Sequence, residues 1–102
     1  MYYAVWATDS LGSLSAREQV RDAHRVRLRD PGTHPVKVLH GGPTLGEADG
    51  AMNGSLLIIE GESIEAVRRF VAEDPYSLAQ VYASVEIRAW HWGLGRPAMN
   101  TG

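Results

Sequence analysis

Short apolar and alternating segments along the chain predict four β-strands. Residues 2–8 are rich in aromatic and β-branched side chains, and residues 36–40 form a second short apolar segment. Residues 56–59 are a continuous apolar run between polar neighbours, which is typical of a central strand buried on both faces. Apolar and polar side chains alternate over residues 85–90, as in a strand with one buried face.

A first helix is predicted between the first two strands. Ser15 is followed by Glu18 at the spacing of a capping box, which indicates a helix start. We expect this helix to run to about Arg29. Pro31 disfavours helical geometry in the residue before it, and Gly32 permits a turn, so the helix should stop there.

A second helix is predicted after Ser63, which is a suitable N-cap. The sequence Asp74-Pro75 should end this helix. Between strands two and three, residues 41–54 are rich in glycine and predict a long loop. The apolar residues of the second helix fall on one stripe: Ile64, Val67, Phe70 and Val71.

The order strand, helix, strand, strand, helix, strand predicts an α+β fold of the ferredoxin-like type. It has a four-stranded antiparallel sheet with two helices on one face. Trp6 and Trp90 could share the uncovered face, and large aromatic groups are costly to leave in water. We therefore expect a homodimer that packs through the open sheet face. One domain over residues 1–92 and a flexible tail over 93–102 complete the prediction.

Composition narrows the classes of partner. The net charge of −2 provides no field for holding nucleic acid, and no apolar run in the 102 residues approaches the length of a membrane span. The chain has no cysteine, which excludes disulfides, thiolate zinc sites and cysteine nucleophiles. Without an export signal, a cytoplasmic location is the simplest expectation.

His24 is the first candidate for chemistry. It lies between Val20 and Leu28 on a helical wheel, so it should belong to the inward face. Arg17 and Arg21 are on the adjoining stripe, and their charges should favour the neutral imidazole, which can accept a proton. A core histidine bonded to a carbonyl group is the competing interpretation.

Asp74 is the second candidate. At the end of the predicted second helix, its negative charge would oppose the helix dipole, and a cationic or histidine partner would compensate. Asp-Pro is also a common helix stop, so a purely structural role explains the same residues.

The other motifs give weaker signals. Gly41-Gly42-Pro43 matches no nucleotide fingerprint, and the arginines between 17 and 29 alternate with acids, which favours a solvated face over an anion groove. No metal site is predicted, because the remaining histidines lack ligand spacing: His34, His40 and His91.

Four of these segments together resemble the YciI-like (YCII-related) family. Residues 21–28 are similar to its first-helix motif, in which an arginine stands three residues before a histidine. Gly42-Pro43 is similar to the glycine-proline after its second strand, and Asp74-Pro75-Tyr76 to the element after its second helix. Trp90 lies where a late aromatic residue is usual. The resemblance spans roughly residues 1–92 and departs from the pattern at Arg25, where an apolar residue is usual.

The resemblance implies a dimeric α/β barrel with a cleft where His24 approaches Asp74, the pair proposed as catalytic in the family. Related members eliminate halide from chlorinated hydroxyquinols. Similar folds isomerise muconolactones or oxidise polyketides without a cofactor.

The leading hypothesis is a cofactor-independent lyase or isomerase for a small cyclic or aromatic acid. His24 is the predicted base and Asp74 orients it. The predicted substrate-binding residues are Arg21, Tyr76 and Trp90.

Two alternatives remain open. In the first, the chain is a non-catalytic dimer that binds a small ligand or serves a larger enzyme, and His24 and Asp74 form a structural hydrogen bond. In the second, it is a cofactor-free monooxygenase of the same superfamily, with Trp90 and Trp92 lining an aromatic pocket.

Overall fold

The computed structural model describes residues 1–97 and confirms the ferredoxin-like α+β fold. A short third helix is added to the predicted order. The predicted mobile tail concerns residues 93–102, of which 98–102 lie outside the described residues. The elements are β1 (Tyr2–Asp9), α1 (Leu14–Arg29), β2 (Val36–Leu45), β3 (Met52–Gly61), α2 (Ile64–Ala72), α3 (Pro75–Leu78) and β4 (Tyr82–Trp90).

The four strands form one antiparallel sheet in the order β2-β3-β1-β4. Alternation along β1 sends Tyr3, Val5 and Ala7 into the core, where each is at most 4% exposed. Trp6, on the other face, is 52% exposed and lies opposite Leu56 on β3. One face of the sheet is therefore buried under the helices, and the other, which carries exposed aromatic and aliphatic side chains beside charged ones, is uncovered in the single chain.

Helix α2 supplies much of the core. Val67 and Phe70 are fully buried and Val71 nearly so, as the stripe predicted. They pack against Val5 and Ile59 on the two central strands. Ser63 is the N-cap, and its hydroxyl oxygen accepts a hydrogen bond from the Ala66 N–H at 3.1 Å, which confirms the predicted helix start.

The predicted long loop over residues 41–54 is wrong. Strand β2 continues to Leu45 and β3 begins at Met52, so only a short connection separates them. Gly54 allows close strand packing, because a Cβ at this position would collide with the Ala7 carbonyl oxygen of the neighbouring strand. Glycine-rich composition is typical of loops, so it predicted a loop here. The sequence does not show that Gly54 lies against the backbone of a neighbouring strand.

The capping box predicted at Ser15 and Glu18 is also wrong. Helix α1 begins at Leu14, so Ser15 is already helical and Ser13 is the N-cap residue. The Ser13 hydroxyl donates to the Ser10 carbonyl at 2.7 Å, within the preceding turn, and makes no cap hydrogen bond. The predicted end at Arg29 is confirmed.

Asp74 does not oppose a helix dipole, because α2 already ends at Ala72. Asp74 is instead the N-cap of α3, and its side chain accepts a hydrogen bond from the Tyr76 N–H. Pro75 occupies the first turn of α3, where its missing N–H costs nothing. The segment Asp74-Pro75-Tyr76 therefore starts a helix, and this places the carboxylate at the favourable end of the dipole.

Candidate active site

Asp74 is a buried carboxylate, 3% exposed, whose two oxygens both have donors. Oδ2 accepts from the Tyr76 N–H at 2.9 Å and lies 2.7 Å from Nδ1 of His24. Oδ1 accepts from the Arg27 guanidinium at 3.3 Å. The carboxylate thus joins helix α1 to the start of α3.

His24 lies on α1 and is 6% exposed. A carboxylate can only accept hydrogen bonds, so Nδ1 of His24 carries the hydrogen toward Asp74. In the neutral ring Nε2 is then the unprotonated nitrogen, which suits it to accept a proton. The imidazole stacks on the Tyr76 ring with a centroid separation of 3.8 Å and an interplanar angle of 18°, which fixes the plane of the base.

A cleft of about 540 Å³ opens between α1 and strand β2. His24 and Tyr76 line it, together with Arg21, Ser55, Leu57 and Met52. Asp74 does not line the cleft and lies behind His24, in contact with the core. The structure therefore brings four predicted site residues together, with the histidine facing the cavity and the carboxylate on its far side.

The arginines of α1 form only in part the solvated face that their alternation with acids predicted. Arg17, Arg21, Arg25 and Arg29 stand four residues apart, and all four line the cleft. Four residues turn a helix about 40° beyond a full circle, so the row drifts around the axis. Arg17 is accordingly buried, Arg21 half-buried, and Arg25 and Arg29 exposed. The four-residue spacing was the signal in the sequence.

A second polar cluster fills the inner end of the cleft around Arg17, which is 2% exposed. Its guanidinium donates to Asp9 at 3.0 Å, to the Ser55 hydroxyl at 2.6 Å and to the Gly54 carbonyl. The Tyr82 hydroxyl donates to the same Ser55 oxygen at 2.9 Å. Because the Ser55 oxygen accepts from two donors, its own hydrogen is available for another acceptor. Ser55 borders the cleft, so that acceptor can be a bound molecule. Sequence reasoning missed this cluster because its members come from four elements.

The electrostatics of the two tyrosines follow from burial. Burial raises the pKa of the Tyr76 hydroxyl, and the nearby Arg17 and Arg21 charges oppose that rise. Burial likewise raises the pKa of Tyr82, and its hydrogen bond with Ser55 opposes that rise. Both hydroxyls therefore keep their hydrogens at neutral pH and are able to donate a hydrogen bond.

Arg27 is a further site residue that sequence reasoning missed. It donates to Asp74 and, at 2.7 Å, to the Phe70 carbonyl at the end of α2. Its guanidinium lies 4.1 Å from the centre of the Phe70 ring. The signal was its position three residues after His24 on the same helix, which places both side chains near one partner.

Trp90 lies away from this cleft, on the open face of the sheet. It is 38% exposed, stands opposite Tyr2 in the β1–β4 ladder, and packs against Trp92 at 5.5 Å. The structure does not bring it to His24. Among residues 1–97 no three side chains of the metal-binding types are grouped closely enough to hold an ion, and no helix has both the length and the apolarity to cross a bilayer.

Comparison with known proteins identifies the family of the chain. The YCII-related domain matches residues 1–91. Protein YciI of Escherichia coli is 34% identical over 96 residues, which cover 86% of this chain and 94% of that protein. A protein of Haemophilus influenzae is 31% identical over 93 residues, with the same two coverages of 86% and 94%.

Among solved structures, the 5-chloro-2-hydroxyhydroquinone dehydrochlorinase TftG of Burkholderia phenoliruptrix has a TM-score of 0.76 and 34% identity. The match covers 89% of this chain and 94% of that one, whose structure holds 2,5-dihydroxybenzoquinone. A protein of Agrobacterium tumefaciens, with a TM-score of 0.56 and 18% identity, shares the fold. The chain belongs to the YCII-related, YciI-like family of the dimeric α/β barrel superfamily.

Proposed function

We propose that the protein is a cofactor-independent acid–base enzyme, of the lyase or isomerase type, for a small cyclic or aromatic acid. The observation that carries the proposal is the 2.7 Å contact between Nδ1 of His24 and Oδ2 of Asp74, with His24 on a cleft and Asp74 behind it. A buried carboxylate in this position holds the imidazole in one tautomer and stabilises it after it takes a proton.

The proposed step is a proton abstraction. Nε2 of His24 takes a proton from an acidic C–H or O–H of the substrate, and the electron pair left behind forms a new π bond. In an elimination, the bond between carbon and a leaving group such as chloride breaks, and the leaving group takes the electron pair of that bond. In an isomerisation, the imidazolium returns the proton to another carbon. General base catalysis of this kind contributes about 10²–10⁴-fold to a rate.

The neighbouring side chains suit the charge that develops on the substrate. Arg21 borders the cleft and can bind a carboxylate or an enolate. The protonated hydroxyl of Tyr76 can donate to an oxyanion. The dehydrochlorination named for the TftG relative removes a proton and a chloride, so its chemistry fits the same base and the same donors.

Replacement of the base tests the proposal. We expect His24→Gln to lower kcat/KM about 10²–10⁴-fold in halide release from 5-chloro-2-hydroxyhydroquinone or in lactone isomerisation. Asp74→Asn should lower kcat and scramble the imidazole tautomer seen in ¹⁵N spectra. His91→Gln, a histidine variant away from the cleft lining, is the control. Turnover of these compounds by His24→Gln at the wild-type rate would contradict the proposal.

A non-catalytic role is the second candidate, and one observation favours it. Asp74 uses both oxygens to connect His24 and Arg27 of α1 to the start of α3, which is what a structural linker does. In that case the wild-type protein binds 2,5-dihydroxybenzoquinone but turns over none of the test compounds. His24→Gln then lowers the melting temperature and changes no reaction rate.

We also propose a homodimer through the open sheet face. The exposed apolar side chains Trp6, Leu56 and Trp90, which are 52%, 41% and 38% exposed, lie on that face. Packing two such faces together removes them from water. Trp6→Glu places a charge in the interface, so we expect a monomer in analytical ultracentrifugation. Leu78→Glu, at a 71% exposed residue on α3, is the matched control and should leave the dimer intact. A dimer that persists with Trp6→Glu would point to another interface.

A further inference from the structure

The cleft carries an excess of positive charge that the whole chain does not have. No aspartate or glutamate of residues 1–97 lines it, whereas four arginines do. The sequence as a whole has a net charge of −2. The positive charge is therefore concentrated at the cavity, where low-dielectric walls strengthen its effect on an anion.

The two outer arginines of the row, Arg25 and Arg29, have no ion pair with any side chain of residues 1–97. Arg17, by contrast, is bound to Asp9. Lys37 also borders the cleft and adds to its positive charge; it stands opposite Glu60 in the β2–β3 ladder.

The row is unfavourable for the helix itself. Like charges four residues apart on a helix repel each other, and the row repeats that spacing from Arg21 to Arg29. Asp22 precedes Arg25 by three residues, a spacing that could offset this repulsion, but the two side chains form no ion pair. The position of Arg29 in the last turn of α1 is explained by the helix dipole, but that of Arg25 is not. An anion bound between the two guanidinium groups would remove the repulsion.

We propose that Arg25 and Arg29 form a distal anion subsite, so that the substrate carries a second carboxylate or phosphate group away from the reacting atom. This inference rests on the proposed function, in which His24 faces the reacting atom. Arg29 lies five positions after His24, which is about 7.5 Å along the helix axis. The guanidinium fork matches the oxygens of both kinds of anion. The substrate class is therefore an elongated, doubly acidic ring compound.

Isothermal calorimetry of aromatic acids binding to the intact protein can test whether a second acid group at this distance strengthens binding. The probes are benzoate, terephthalate, biphenyl para-carboxylate and biphenyl para,para′-dicarboxylate. The cleft of about 540 Å³ falls in the range of small-molecule sites and has room for two rings. We expect the biphenyl diacid to bind about 5–10-fold more tightly than the biphenyl monoacid, as two exposed charge pairs allow. A phosphonate in place of the second carboxylate separates a phosphate preference from a carboxylate preference.

The double variant Arg25→Gln/Arg29→Gln should abolish the advantage of the diacid. Arg68→Gln/Arg69→Gln removes the same charge from two exposed arginines of α2 that do not line the cleft, and it should keep the advantage. Independently of any variant, salt should reduce the advantage in the wild type, because exposed charges are screened. Equal affinity of the two biphenyl acids, no binding of the diacid, or an advantage that survives in the double variant would overturn the inference.

The same titration with His24→Gln separates the subsite from the catalytic proposal. The diacid advantage should persist in that variant, because Arg25 and Arg29 are unchanged. If halide release or isomerisation is never found but the diacid advantage is, the subsite stands and the acid–base function fails. If catalysis depends on His24 but the advantage is absent, the function stands and the subsite fails.

Discussion

Two buried carboxylates hold helix α1 at different points along its length, and their surroundings differ. Asp74 meets His24 and Arg27 in the second half of α1, and both of its oxygens have donors. Asp9 meets Arg17 near the start of the helix through Oδ2, whereas its other oxygen, Oδ1, is buried without a hydrogen-bond partner among the described residues. One carboxylate is fully satisfied and the other is only half satisfied.

The difference shows how each carboxylate affects its partner. The donors on Asp74 fix its orientation, and that orientation fixes the tautomer of His24. Asp9 holds one buried guanidinium, and Arg17 in turn holds Ser55 at the cleft. Burial raises the pKa of Asp9, and the charge of Arg17 opposes the rise. Asp9 therefore bears a desolvation cost that its single ion pair does not fully offset.

Removal of the satisfied carboxylate should have the largest effect on stability. Asp74→Ala leaves the Tyr76 N–H, the His24 Nδ1–H and the Arg27 guanidinium without their shared acceptor. We expect a loss of about 3–5 kcal/mol in the free energy of unfolding, the range for breaking a buried ion pair. Urea denaturation followed by circular dichroism measures it.

Asp30→Ala is the control for that experiment. Asp30 is exposed and, within residues 1–97, its carboxylate accepts a hydrogen bond only from the Gly32 N–H, at 3.2 Å. We expect a loss of less than about 1 kcal/mol. An equally small loss for Asp74→Ala would contradict this prediction. It would mean that water can replace the carboxylate as the acceptor for the three donors, so that Asp74 contributes little to stability.

Replacement of the half-satisfied carboxylate should have the smaller effect. Asp9→Asn removes a charge with one unpartnered buried oxygen but weakens the bond to Arg17, and the two changes oppose each other. We expect a change of less than about 1 kcal/mol at neutral pH.

The pH dependence of the stability difference between wild type and Asp9→Asn tests whether the raised pKa of Asp9 contributes to it. The pKa of Asp9 is raised in the folded protein from its ordinary value of 3.8, so the folded state binds a proton more tightly than the unfolded state. The stability that this contributes is present in full below 3.8 and is lost as the pH rises through the raised value. Wild type should therefore gain stability relative to Asp9→Asn as the pH falls from 7 toward 4. A difference that stays constant over that range would show that Asp9 has no raised pKa.

The sequence by itself determined the fold class, the order of the four strands and the two longer helices, and part of the candidate site. The aromatic and β-branched composition of residues 2–8 predicted strand β1, and the stripe from Ile64 to Val71 predicted the inward face of α2. His24, Arg21 and Asp74-Pro75-Tyr76 were identified because local patterns and a family motif include them. These features depend on residues close together in the chain, where the periods of helix and strand apply.

Only the tertiary structure decided which distant groups meet. His24 and Asp74 are separated by 50 positions, and Arg17 and Ser55 by 38. No local period relates such residues, so neither the donors on Asp74 nor the cluster around Arg17 could be read from spacing. The glycine-rich stretch after His40 predicted a loop for the same reason. The need for glycine at position 54 comes from the Ala7 carbonyl oxygen on β1, which leaves no room for a Cβ and is distant in the sequence. Short-range sequence patterns determine the helices and strands, whereas packing between these elements determines which side chains meet in the candidate site.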